Sequence, residues 1–230
     1  VVGHARVFSS LDLRAGYHQL PIREGDKSKT AFWGIDTHGR DCLYQWRFLP
    51  FGLKNAPAEF QRVMDRILAR LDFARCYIDD ILVFSATVEE HERHWLLVFE
   101  RLRAHGLKLH PDKCKFFHAQ IEFLGHTIYP GGLGVQQSKV EAISRIPRPT
   151  NVSRVHAFIG LANFYRRYVK GFSAIAKALT KLTKLDQEWQ WGDEQEKAFQ
   201  ILKDKLASAP ILRRPIRVRP FELHNDWSML

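Results

Sequence analysis

Cysteine is scarce in this 230-residue chain: only Cys42, Cys76 and Cys114, far apart and without a C-x-x-C pair. An odd, scattered set excludes a disulfide framework and a cysteine zinc site, and it suits a reducing, intracellular setting. Long apolar runs are missing too. None approaches the roughly 18 residues that a membrane span needs, so no membrane partner is expected. The opening VVGHARVFSS has neither the basic nor the apolar region of a signal peptide, and without an initiator Met the chain reads as cut from something longer. There is no G-x-x-x-x-G-K-[ST] and no G-x-S-x-G, which removes P-loop and α/β-hydrolase chemistry. Internal repeats and low-complexity segments are absent as well.

What is present is a globular composition with 45% hydrophobic residues, enough to bury a core. The formal net charge is +10, unevenly spread. Residues 1–138 hold 18 Lys/Arg against 16 Asp/Glu, whereas residues 139–230 hold 17 against 9. A surplus in the C-terminal part points to an anionic partner, nucleic acid before a membrane surface.

Along the chain, VFSSLDL (7–13) has strand composition, and Gly16 and Pro21 then turn it. TAFWGI (30–35) and CLYQWRF (42–48) form a hairpin with a longer loop. Asn55 is expected to cap a helix that takes Pro57 in its first turn and runs on with Phe60, Val63, Met64, Ile67, Leu68 and Leu71 at helical spacing. CYI and ILVFS make a short hairpin around Asp79 and Asp80. Thr87 and Glu90 have capping-box spacing for a helix that Gly106 closes. KCKFF and IEFLGHTI are two more strands. The order describes an α+β layer, an antiparallel sheet backed by helices. After the glycine-rich break YPGGLG (129–134) the pattern becomes helical and basic, with Asp193 a plausible cap for the last helix.

One stretch stands out chemically. CYIDDILVF (76–84) sets two adjacent carboxylates in an apolar run, where a buried charge costs several kcal/mol unless something compensates it. If the hairpin neighbours the strand ending at Asp12, then Asp12 and Asp79 converge at one sheet edge. Hard oxygen ligands there suit two Mg²⁺, which can activate a 3′-hydroxyl and stabilise a leaving pyrophosphate. The bland alternative is a strained or solvated hairpin turn, for which Asp-Asp is a poor choice beside Asn-Gly or Asp-Gly.

The blocks FSSLDLRAGYHQLPI, KTAFWG, LPFGLKNAPAEFQRVMDRIL, CYIDDILVFS, HERHWLLVFERLRAHGLKLHPDKCKFF and IEFLGHTI occur in this order. Together with FIGLANFYRRYVKGFSAIAKALTKLTK and WQWGDEQEKAFQILKDKLASAPIL, the chain resembles the reverse transcriptase of gypsy-like LTR retrotransposon Pol polyproteins. That resemblance implies a polymerase palm at 1–130, a helical thumb at 131–185, a connection segment at 186–219 and the truncated start of an RNase H domain at 220–230. It also implies that the fingers, which the family places upstream of VFSSLDL, are largely missing.

By resemblance, Asp12, Asp79 and Asp80 are the catalytic acids. They would hold two Mg²⁺, or Mn²⁺ in substitution, with the Leu13 carbonyl as a further ligand. Ala15 and Gly16 would present N–H groups to the incoming dNTP, Tyr17 would be the steric gate, and Phe51 the floor of the pocket. Leu124 and Gly125 would be the primer grip. Tyr165, Arg166, Arg167 and Lys170 would contact an RNA/DNA template-primer, with Phe164 in the core. Asp226 would be the first acid of an incomplete RNase H site. The implied partners also include the rest of the polyprotein, namely protease, RNase H and integrase, in a cytoplasmic particle or the nucleus. The competing expectation is a non-catalytic nucleic-acid-binding relic or fragment.

Two near misses carry no chemistry. HERH (91–94) spaces its histidines three apart rather than as H-E-x-x-H, and IDTHG (35–39) interrupts the aspartic-protease D-T-G with His38.

Overall fold

The computed structural model describes residues 4–185, 187–208 and 212–213. The chain divides into two compact units, one ending at Phe123 and one starting at Leu124.

The first unit contains β1 (Val7–Asp12), the single turn α1 (Glu24–Lys27), β2 (Phe32–Ile35), β3 (Asp41–Tyr44) and α2 (Ala56–Ile67). It continues through β4 (Ala74–Tyr77), β5 (Asp80–Ser85), α3 (Val88–Ala104), β6 (Lys115–His118) and β7 (Ile121–Phe123). Its main sheet is antiparallel in the order β4-β5-β1-β6, and β2 pairs with β3 as a separate ribbon. Alternation puts Leu11, Ile81 and Val83 on one sheet face, where they meet Phe60, Met64 and Ile67 of α2 and Val98 and Leu102 of α3. The i, i+4, i+7 spacing of those α2 residues is what turns one helix stripe onto the sheet. At the start of α3 the Thr87 hydroxyl accepts from the Glu90 N–H (3.2 Å), and Glu90 reaches back to the Ala86 N–H (2.7 Å). Gly106, at φ 69°, closes it as expected.

The second unit holds β8 (His126–Tyr129), β9 (Gly132–Val135), α4 (Gln137–Ser144), α5 (Val152–Phe164), α6 (Phe172–Lys181), α7 (Asp193–Ala207) and β10 (Leu212–Arg213). β9 pairs with both β8 and β10. Val155, Phe158 and Ala162 of α5 pack with Ala176 and Leu179 of α6 and Phe199, Leu202 and Leu206 of α7. Among the described residues no helix is long and apolar enough to cross a membrane.

Several local expectations change. IEFLGHTI is two strands rather than one, because Leu124 and Gly125 both take left-handed backbone angles and break the run. The glycine-rich break at 129–134 is instead a β8–β9 hairpin turn, with Tyr129 opposite Gly132 and Gly131 supplying φ 80°. Asn55 stands at the N-cap of α2 but its side chain caps nothing. Gly192, not Asp193, caps α7: its N–H is taken by Gln195 (3.1 Å), and Asp193 is the first helical residue. Asp226 and the segment 220–230 lie outside the described residues.

Candidate active site

β1 and β5 run antiparallel in a register that sets Asp12 directly opposite Asp80. Between β4 and β5 the register pairs Tyr77 with Asp80, which leaves Ile78 and Asp79 as a two-residue turn. Asp79 is tied to the end of β1, since its carbonyl accepts from the Leu13 N–H (3.1 Å). The three acids thus gather at one end of the central strand pair, as the spacing argument required.

The turn is not relaxed. Ile78 has φ 56°, a region that a β-branched residue enters at a cost of about 1–3 kcal/mol. Gln61 of α2 holds it there, accepting the Ile78 N–H (2.7 Å) while its own amide donates to the Cys76 carbonyl (3.1 Å) and to Asp65 (2.8 Å). Gln61 was not singled out from the sequence. Its only signal is a polar residue beside Phe60 on a helix face turned to the hairpin.

The acids lie close enough to feel one another. Burial first, and then the charges of Asp79 and Asp12, raise the Asp80 carboxyl above the ordinary range; Lys113 pulls it the other way. Lys113 approaches Asp12 at 3.7 Å but is exposed, a weak offset. Uncompensated like charge among hard oxygen donors is chemistry that fits a divalent cation. Among the described residues, no three His, Cys, Asp or Glu side chains are already arranged to hold a metal ion.

The neighbouring wall is built by the turn after β1. Ala15 is left-handed (φ 50°), and Gly16 opens a 3₁₀ turn so close to the acids that a Cβ there would lie 3.0 Å from the Asp79 Cβ and 3.2 Å from the Phe60 ring. Tyr17 packs with its ring centroid 5.1 Å from both Phe51 and Phe60, and burial together with Asp79 raises its phenol pKa. Phe51 is 66% exposed, an apolar surface between the rings of Tyr17 and His18, each with its centroid 5.1 Å away. The structure therefore brings Asp12, Leu13, Gly16, Tyr17, Asp79 and Asp80 together, with Phe51 at their margin.

Behind the sheet, HERH acquires a structural role. His91, fully buried on α3, bridges Ser9 of β1 (Nε2 to Oγ, 2.7 Å) and Ser85 of β5 (Nδ1 to Oγ, 2.7 Å). Ser9 Oγ also accepts from the Phe117 N–H (3.1 Å), and Ser85 Oγ lies 2.9 Å from the His94 Nδ1, so two hydroxyls and two imidazoles form one network. Burial lowers the His91 pKa to about 4, which agrees with a neutral ring.

In the second unit, Leu124 is partly exposed at its turn. Arg166, Arg167 and Lys170 are exposed, as a phosphate-contacting surface needs. Tyr165 is not part of that surface. It is 1% exposed and its hydroxyl is spent on the Gly125 carbonyl, whereas Phe164, expected in the core, is 55% exposed. Tyr165 continues the buried stripe Val155, Phe158, Ala162 of α5 at helical spacing, which leaves Phe164 on the outer side.

A sheet carrying three convergent acids beside a glycine-backed aromatic wall is the architecture of a nucleic-acid polymerase core. Residues 2–128 match the family described as reverse transcriptase (RNA-dependent DNA polymerase), and the chain belongs to that family. It is 39% identical over its full length to the Retrovirus-related Pol polyprotein from transposon 297 of Drosophila melanogaster. It is also 35% identical, over 99% of its length, to that from transposon gypsy of the same organism. The chain spans about a fifth of the length of these relatives, 21% and 23%. Among solved structures it is similar to the foamy viral protease-reverse transcriptase in complex with RNA/DNA hybrid, with TM-score 0.83 and 27% identity over 93% of this chain and 29% of that one. The foamy viral protease-reverse transcriptase dRH in complex with double-stranded DNA also gives TM-score 0.83, with 27% identity over 93% of this chain and 37% of that one. The α+β fold is thus that of a reverse transcriptase.

Proposed function

We propose that this chain carries the nucleotidyl-transfer centre of an RNA-directed DNA polymerase, which extends a primer 3′-end on an RNA or DNA template with dNTPs. The observation that carries this reading is the β1–β5 register, which sets Asp12 opposite Asp80 with Asp79 on the adjoining strained turn. Asp12, Asp79, Asp80 and the Leu13 carbonyl would hold two Mg²⁺, with Mn²⁺ as a substitute. Such ions, when bound, supply charge for the attacking 3′-oxygen and the leaving pyrophosphate. The chain's own residues do the rest. Gly16 lets the turn after β1 approach the acids, and Ala15 and Gly16 offer backbone N–H groups to phosphate. Tyr17, packed between Phe51 and Phe60, presents a fixed ring edge that would bar a ribose 2′-hydroxyl.

The first unit corresponds on this reading to the palm, expected over 1–130, and the second to the thumb (131–185) and connection (186–219). Leu124 and Gly125 would grip the primer, and Arg166, Arg167 and Lys170 would contact the template-primer backbone. The chain would act within a Pol polyprotein alongside protease, RNase H and integrase segments, in a cytoplasmic particle or the nucleus.

The test is primer extension with Mg²⁺ by the chain and by Asp79→Asn. Loss of at least about 100-fold in rate, with template-primer affinity kept within about two-fold, is expected for removal of a group acting only in the transition state. Equal extension by both proteins would overturn the assignment, and binding without extension by the unmodified chain would make it a binding module.

A further inference from the structure

We propose that Tyr165 is a positioning residue for primer extension, its hydroxyl fixing the left-handed turn Leu124–Gly125; this rests on the reading of that turn as the primer contact. Leu124 and Gly125 have φ 48° and 76°, two successive residues in a region that side-chain-bearing residues rarely enter. A turn of this kind holds its shape only when its surroundings over-determine it.

Both of its carbonyls are held by side chains of the same unit. The His126 Nδ1–H donates to the Leu124 carbonyl (2.9 Å), and the Tyr165 O–H, 40 residues further on, donates to the Gly125 carbonyl (2.8 Å). The Phe164 ring closes over Gly125, where an added Cβ would come within 3.2 Å of it. The His126 ring lies 5.2, 5.7 and 6.0 Å from the rings of Phe164, Tyr165 and Tyr168. Burial raises the Tyr165 phenol pKa, so the hydroxyl stays protonated and keeps donating.

The consequence lies in where Tyr165 sits. It leads straight into the 3₁₀ turn that displays Arg166 and Arg167, and its carbonyl accepts the Tyr168 N–H (3.0 Å). The basic surface for phosphates and the turn for the primer end are therefore held by one residue, which sets their spacing. Removing the hydroxyl should leave the phosphate contacts intact and let the primer end wander. The loss then falls on turnover rather than on affinity.

Tyr165→Phe keeps the ring and deletes only the donor. Expected are template-primer Kd and dNTP KM within about two-fold of the unmodified chain, with kcat per titrated active site lowered about tenfold or more, in line with the cost of small misplacements at a reacting centre. Hydrogen exchange of the Gly125 and His126 amides should rise about tenfold while α7 amides keep their rates, as for loss of one buried hydrogen bond. A merely structural role would lower the active fraction and speed exchange throughout the unit, without changing kcat per active site. His126→Phe, which removes the other tie, should give the same pair of effects and carries the test if Tyr165→Phe does not fold. Unchanged exchange at the turn, or unchanged kcat per active site, overturns the proposal. Exchange is read without catalysis, so failure of the polymerase reading, seen as no extension or as no effect of Asp79→Asn, is distinguished from failure of this one.

Discussion

Asp12 and Asp80 face each other across the β1–β5 ladder, on the strand pair that forms the centre of the first unit. With Asp79 adjacent, three like charges are held together by backbone hydrogen bonds, with the exposed Lys113 beside Asp12 a weak offset. In the absence of divalent cations these charges oppose folding. Because the folded carboxyl of Asp80 is raised above its unfolded value, the folded state binds its proton more readily. Its charge is a penalty above the folded pKa, relieved as pH falls. Asp80→Asn should therefore raise the melting temperature in EDTA at pH 7 while removing Mg²⁺-dependent extension. Differential scanning calorimetry and primer extension on the same preparation check both halves.

Gln61 gives the turn its shape from α2. Replacing it with Leu preserves volume but leaves the Ile78 N–H without its partner, a loss of about 1–3 kcal/mol for an unsatisfied, partly buried donor. Because Ile78 is also in a costly conformation, the turn should relax and extension should fall by more than the stability loss explains. Urea unfolding and steady-state extension of Gln61→Leu measure the two effects separately.

Gly16 is required for space rather than for backbone freedom. Gly16→Ala places a methyl group 3.0 Å from the Asp79 Cβ and 3.2 Å from Phe60, both on packed elements that yield little. A destabilisation of about 1–3 kcal/mol, typical of overpacking, is expected with a large loss of extension. Gly25→Ala, where a Cβ meets nothing within 4 Å, should change neither, and chemical denaturation of the pair makes the comparison.

His91 makes the first unit acid-sensitive. Its ring is buried between the Ser9 and Ser85 hydroxyls, where loss of water disfavours the charged imidazolium. The His91 pKa is about 4 in the fold, lowered by burial and secondarily by His94 while Glu90 opposes, and the unfolded value is about 6.5. A depressed histidine contributes stability that is complete above the unfolded pKa and drains away between about pH 6.5 and 4, on the order of 2–3 kcal/mol. His91→Gln should flatten that part of the stability–pH curve, as urea unfolding at pH 7, 5.5 and 4.5 will show.

Much of this was legible before any coordinates. The Asp12 strand, the Asp79–Asp80 hairpin, the Thr87-capped helix and the α+β order follow from alternation, capping and turn chemistry, which are local properties. The exchange of Phe164 and Tyr165 follows the helical stripe Val155, Phe158, Ala162, Tyr165, a periodicity present in the sequence; what was not legible is the bond of the Tyr165 hydroxyl to a carbonyl 40 residues away. Gln61 was missed for the same reason, since its partners lie on another element. The HERH histidines showed only what they were not, because Ser9, 82 residues before His91, is invisible at that range.

The sequence by itself determined which residues are candidates for the chemistry: three carboxylates, a glycine, an aromatic and a basic segment, at spacings that place each on a strand end, turn or helix. Only the tertiary structure decided which of them share a site and what holds them. Strand register puts Asp12 across from Asp80, and side-chain bonds between distant elements fix the Ile78 and Leu124–Gly125 turns. The physical reason is range: propensity and periodicity act over a few residues, while register, burial and hydrogen-bond partnership are settled by packing across the whole unit.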